Sequence, residues 1–232
     1  MAAAEDVIAE LRLLADPKRR AEHQRVAAGN ATSLGVSVPN IRMLSRKHRK
    51  DHPLALALWA SGIHEARQLA AMVEDPAAVT REQCEAWTAD FDSWDVCDGV
   101  CDLYARLPFA WELAREWVHR DAEFTKRAGF VIMAWLAVHD RGATDDQFVS
   151  LLPLLREGAG DERNFVKKAV NWALRQIGKR NLALNAAAIA AGEVIQAEGS
   201  RSGRWIAADA LRELRSEAVR TRLASRAQDL VR

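Results

Sequence analysis

Apolar residues along this chain return at helical spacing and almost never alternate with polar ones. Val7, Ile8, Leu11 and Leu14 mark one stripe near the start, and Val149, Leu152 and Leu155 mark another past the middle. Both follow the three- and four-residue steps of a helix with one buried face. Strand signals are nearly absent, with a single Tyr and few Thr. Asp16-Pro17, Val38-Pro39, His52-Pro53, Asp75-Pro76 and Leu107-Pro108 cut the first half into short pieces, because proline cannot sit inside a helix without breaking its ladder. Thr80 with Gln83 and Thr144 with Gln147 read as capping boxes that open helices. The pattern predicts an all-α chain of many short amphipathic helices.

Two segments echo each other. Phe124-Thr125-Lys126-Arg127-Ala128 and Phe165-Val166-Lys167-Lys168-Ala169 align at one offset, on the order of 40 residues, the length of a HEAT-like helix pair. Arg204-Trp205-Ile206-Ala207 hints at a third copy, falling where Arg163-Asn164-Phe165-Val166 would place it. Stacked helix pairs form an α-solenoid, a superhelix with one concave face. Nothing in the composition marks a linker, so residues 1–232 read as a single HEAT-like repeat domain.

The helix expected over residues 93–106 carries the sharpest candidate chemistry. Val96, Cys97, Val100, Cys101, Leu103 and Tyr104 fall on one arc, and Asp95, Asp98 and Asp102 on the other. Trp94 lies one turn before Asp98, so ring and carboxylate share a face and can act on one ligand. The plain alternative is an amphipathic helix with a solvated acidic side. Trp172 lies one turn beyond Lys168 and reads either as core or as a second surface aromatic. Trp59, Trp87, Trp111, Trp117 and Trp135 lie in apolar contexts and read as core.

Charge sets limits. The chain has 33 Lys and Arg against 32 Asp and Glu, a net charge of +1, so any site for a polyanion must come from segregated charge. Lys126, Arg127, Lys167 and Lys168 are the cations that the repeat would array along one surface, where phosphates could be met in series. The three cysteines, Cys84, Cys97 and Cys101, form no disulfide framework. Cys97 and Cys101 lack a matching ligand pair, so they read as small buried apolar residues and no metal is expected. The N-terminus has no basic region and long apolar core of a secretory signal, and no apolar run reaches membrane-spanning length. The expectation is a soluble cytoplasmic monomer without membrane contact.

At these residues the chain resembles the AlkC/AlkD-type DNA alkylation repair family, whose members are built from HEAT-like repeats. The resemblance rests on Ser93-Trp94-Asp95-Val96-Cys97-Asp98, on Lys126-Arg127-Ala128-Gly129-Phe130, on residues 164–175, and on Arg204-Trp205-Ile206-Ala207-Ala208-Asp209-Ala210-Leu211. Leu34-Gly35-Val36-Ser37-Val38-Pro39-Asn40-Ile41-Arg42 matches an N-terminal loop of the family. It implies a concave basic groove that holds alkylated double-stranded DNA, and a glycosylase that hydrolyses the N-glycosidic bond of cationic N3- or N7-alkylated purines without flipping the base and without a cofactor. By motif, Asp98 matches the catalytic carboxylate, Trp94 and Trp172 the aromatics that contact the lesion nucleotide, and Arg127 an arginine that contacts the DNA backbone. Lys126, Lys167, Lys168 and Arg204 would hold phosphates. Asp95 and Asp102 stay open as alternative carboxylates. A HEAT-like module that binds DNA or protein without chemistry stays open as an alternative function.

Overall fold

The computed structural model describes residues 4–26 and 32–229, so the first and last three residues of the expected domain lie outside it. Fifteen helices account for its regular structure. No strand forms among the described residues; the sole sheet-like pairing is an isolated bridge between Thr32 and Ile63. The helical period is thus the one that governs packing, as the apolar stripes predict.

The chain divides into two compact units, residues 1–107 and 108–232. Unit 1 holds α1 (Ala4–Leu13), α2 (Pro17–Val26), α3 (Val38–Ser45), α4 (His52–Ala60), α5 (His64–Val73), α6 (Arg81–Ala89) and α7 (Trp94–Tyr104). Unit 2 holds α8 (Ala110–Trp117), α9 (Glu123–His139), α10 (Asp145–Val149), α11 (Leu152–Gly158), α12 (Asn164–Gly178), α13 (Leu182–Glu198), α14 (Arg201–Leu214) and α15 (Glu217–Asp229). Within unit 1, α5 packs against α3, α4 and α7; within unit 2, α9, α12 and α14 pack in succession.

Local signals place most boundaries. Pro17 opens α2, while Pro39 and Pro53 sit in the first turns of α3 and α4, where a missing N–H costs nothing. Thr144 forms the full capping box with Gln147 at α10. At α6 only half of the expected box forms. Thr80 accepts from Gln83 N at 3.2 Å, but the Gln83 amide donates instead to Glu74 Oε2 at 2.7 Å. The stripe Val149–Leu152–Leu155 spans two helices and not one. Pro153 lies in the first turn of α11, so the chain restarts there and leaves Val149 exposed.

The repeat shows in the polar contacts. In unit 2, Arg163 Nη1 donates to Asp121 O and Phe165 N to Glu123 Oε1, both 42 residues apart. Ser202 Oγ donates to Ala159 O across 43 residues, and Ser202 N to Glu162 Oε1 across 40. The echoed Phe124 and Phe165 rings pack at 5.3 Å. In unit 1 the contacts between stacked segments have a shorter step: Ser33 to Glu65 at 32 residues and His64 to Asp95 at 31. The helices between successive stacked ones explain the change. In unit 1 they are α4 and α6, of 9 residues each, whereas α13 alone has 17.

Candidate nucleic-acid interface

In unit 1 the helix expected over residues 93–106 is α7, with Ser93 in extended backbone as its N-cap. Val96, Cys97, Val100, Cys101, Leu103 and Tyr104 are buried as predicted. Trp94 keeps 38% of its surface exposed, although tryptophan is usually covered. Asp98, one turn on, is half-buried. The other two carboxylates of this arc have partners within unit 1. Asp95 Oδ2 accepts from His64 Nε2 at 2.9 Å and from Gln68 Nε2 at 3.1 Å, and Asp102 pairs with Arg106.

His64 is a member of the cluster that sequence reasoning missed, since a lone histidine in an amphipathic run carries no distinguishing signal. Burial opposes its charge, yet the hydrogen bond to Asp95 and the charges of Asp95, Glu65 and Asp92 prevail and raise its pKa above the ordinary value. Glu65 beside it is almost fully buried. Its carboxylate accepts from Ser33 Oγ at 2.9 Å, Leu34 N at 2.8 Å, Gly35 N at 2.7 Å and Val36 N at 3.3 Å. One buried anion therefore fixes the start of the loop over residues 34–42. Gly35 makes this possible: its φ is +78°, and a Cβ there would meet Asp16 O at 2.2 Å.

In unit 2, Trp172 is half-buried on α12 and meets Trp135 of α9 edge-on at 5.3 Å. Trp135 in turn stacks on His139 at 5.1 Å. Trp135 is half-buried, a partner of the surface aromatic and not a fully covered core residue; Trp111 is half-buried too, while Trp59, Trp87 and Trp117 are buried as expected. Lys168 is exposed one turn before Trp172. Lys167 Nζ lies over the Trp205 ring at 5.3 Å, and Trp205 is 42% exposed. Arg204 is exposed and donates to Gly199 O.

The first pair of echoed cations is less available. Arg127 is buried, and its Nη1 donates to Phe165 O at 2.6 Å, tying α9 to the start of α12. Gly129, in the next turn, brings α9 against α8; a Cβ there would lie 2.7 Å from Val118 N. Lys126 Nζ sits 3.3 Å from Asp161. The Arg163 guanidinium and then Lys126 hold the Asp161 carboxyl down at about 2, despite its partial burial. Acidic residues are therefore not cleared from this row, contrary to the segregation that the net charge led us to expect. The thiols of Cys84, Cys97 and Cys101 are buried, and burial pushes Cys84 up to about 12.

A family model described as DNA alkylation repair enzyme matches residues 7–214. A solved structure described as a new family of proteins related to the HEAT-like repeat DNA glycosylases, with affinity for branched DNA structures, superposes with a TM-score of 0.76. It is 19% identical over 83% of each chain, a likeness that establishes the all-helical HEAT-like repeat fold. An engineered protein matches at a TM-score of 0.42 and 16% identity, over 93% of this chain and 99% of its own. No curated protein matches the chain.

Proposed function

The chain belongs to the DNA alkylation repair enzyme family, and from that premise we propose that it is a DNA glycosylase acting on cationic N3- or N7-alkylated purines in duplex DNA. The observation that carries this reading is the placement on α7 of an exposed Trp94 one turn before a half-buried Asp98.

The chemistry asks little of the protein. An alkylated purine already carries the positive charge that makes it a leaving group, so no general acid is needed. As the bond from the sugar C1′ to the purine nitrogen breaks, its electron pair returns to the ring and the base departs neutral. The sugar develops oxocarbenium character, which the Asp98 carboxylate stabilises at short range. Water attacks C1′, and its proton passes to Asp98 or to solvent. Trp94 offers a ring face that favours the cationic nucleotide. In unit 2, Trp172 supplies a second aromatic surface, and Lys167, Lys168 and Arg204 supply phosphate contacts without sequence preference. Arg127, buried and bonded to Phe165 O, holds the start of α12 in place for them.

The test is release of free methylpurine from alkylated duplex DNA. Asp98→Asn keeps the side-chain shape, and its excision rate falls roughly 10²-fold or more, with DNA affinity nearly unchanged. Wild-type rates in Asp98→Asn refute the assignment and turn attention to Asp95 and Asp102. A second reading, DNA binding without chemistry, is favoured by the affinity of the structural neighbour for branched DNA. It takes over if the wild type binds DNA and releases no base.

A further inference from the structure

A cleft of about 790 Å³ opens in unit 2 where the C-terminal ends of α9 and α12 meet α15. Five cations line it: Arg141, Lys179, Arg180, Arg222 and Arg226; among the described residues no acidic side chain does. They come from three separate stretches of chain, so this is not the one-sided charge run of a single solvated helix.

Two of the five are fixed by the fold. Arg180 donates Nη1 to Ala137 O at 2.8 Å and Nη2 to Asp140 O at 2.9 Å, and its guanidinium lies over the Phe148 ring at 4.2 Å. Its charge is held in position by neutral carbonyls, with the Asp140 and Asp145 charges nearby. Lys179 pairs with Glu213 at 2.8 Å, which offsets its charge and pins its chain. Arg141, Arg222 and Arg226 are exposed around this wall.

The cleft also continues a face already described. Lys168, Trp172 and Gln176 follow at four-residue steps along α12, and Gln176 lines the cleft together with Lys179 and Arg180 just beyond the helix. From Trp172 to Arg180 the rise is about 12 Å, the span of roughly three phosphates of one strand along a duplex axis.

We propose that this cleft is a binding site for nucleic-acid backbone, taking phosphates of a DNA segment that runs on from the α12 aromatic. The site holds DNA by charge and shape alone, since guanidinium groups fork onto phosphate oxygens without reading bases. The proposal rests on the DNA-binding half of the function argued above and not on excision.

Binding is therefore measured on undamaged DNA with the full chain, by fluorescence anisotropy across a salt series, using a short duplex, a long duplex and a four-way branched DNA. Arg222→Glu/Arg226→Glu changes exposed residues of α15, and Arg141→Glu changes a loop residue of another element. Both variants are expected to weaken binding of the long duplex by roughly 10-fold or more and to lower the salt slope by about one to two, one lost phosphate contact accounting for about 0.9. Arg12→Glu/Arg20→Glu matches the double variant in charge on exposed residues of unit 1, and is expected to have a much smaller effect. Equal losses in the control and cleft variants, or unchanged affinity and slope in the cleft variants, overturn the site. A small-anion site would show itself differently. If inorganic phosphate binds the wild type and not the variants by calorimetry, while DNA affinity and salt slope are the same in all of them, the cleft takes a free anion and the proposal fails. Because no step depends on base release, failure of the excision assay leaves this test intact.

Discussion

Glu65→Ala removes the one buried anion that organises the start of the loop over residues 34–42. The side chain is 3% exposed and accepts four hydrogen bonds, from Ser33 Oγ and from the amides of Leu34, Gly35 and Val36. Hydrogen bonds to a charged group contribute about 1.5–3 kcal/mol each, but four of them do not add, because the orphaned amides recover water when the loop moves. Each buried donor left without an acceptor costs about 1–3 kcal/mol, and with part of the loop recovering water about 4 kcal/mol is the expected loss. At about 2–4 °C per kcal/mol for a chain of this size, the melting temperature falls by about 8–16 °C. Calorimetry measures the shift, and hydrogen exchange at the Leu34, Gly35 and Val36 amides reports whether the loop is its source. Glu65→Gln, which can keep an oxygen for the Ser33, Gly35 and Val36 donors but turns an amide NH2 toward the Leu34 N–H, should fall between wild type and Ala. A drop below about 3 °C in the Ala variant refutes the reasoning. So does unchanged exchange protection, because the loop would then be held by something other than this carboxylate.

Two further outcomes follow from groups in unit 1. The His64 pKa is raised in the folded protein against burial, by Asp95, Glu65 and Asp92. Its stabilising contact is thus fully present below the unfolded value of about 6.5 and lost as pH rises through the folded value. The difference in urea midpoint between wild type and His64→Gln should be largest near pH 5 and shrink toward pH 8; a constant difference would contradict the charged pairing. The buried thiols, with Cys84 pushed up to about 12, should resist an aromatic disulfide reagent at pH 8 until the protein is unfolded; modification of folded protein within minutes would show that they are accessible.

The parts of the molecule that were legible in the sequence are the local ones. The place of α7 and its buried arc follow from helical spacing, because residues one turn apart need no knowledge of the rest of the chain; the helix itself is shorter at both ends than the expected 93–106, running from Trp94 to Tyr104. Pro153 shows the limit of reading apolar positions alone: the stripe from Val149 to Leu155 is regular, yet the missing N–H divides it. The repeat was visible only where like packs on like. Phe124 rests on Phe165, so the contact leaves an echo at its own spacing. The unit 1 contacts join unlike partners, Ser33 with Glu65 and His64 with Asp95, and complementary pairs leave no self-similarity to find.

The charge that the sequence offers DNA was the hardest quantity to read, for a related reason. Arg127 and Arg180 look like phosphate ligands in a list of basic residues. Each instead donates to main-chain oxygens of another segment of unit 2, Arg127 to Phe165 O, Arg180 to Ala137 O and Asp140 O. A carbonyl carries no side-chain identity, so nothing in the sequence names these acceptors in advance. Lys126 and Lys179 are likewise engaged, by the carboxylates of Asp161 and Glu213. A stack of short helices presents many chain ends whose last carbonyls need donors; Arg180 meets that need at the end of α9, while Arg127 takes a carbonyl in the first turn of α12. On the functions proposed above, phosphate falls to the cations left available after this internal demand, Lys167, Lys168 and Arg204 near the α12 aromatic and Arg141, Arg222 and Arg226 at the cleft. With a net charge of +1, DNA affinity should follow these few positions and not the total of basic residues, so charge reversal at Lys168 or Arg222 should weaken binding far more than the same change at Arg12.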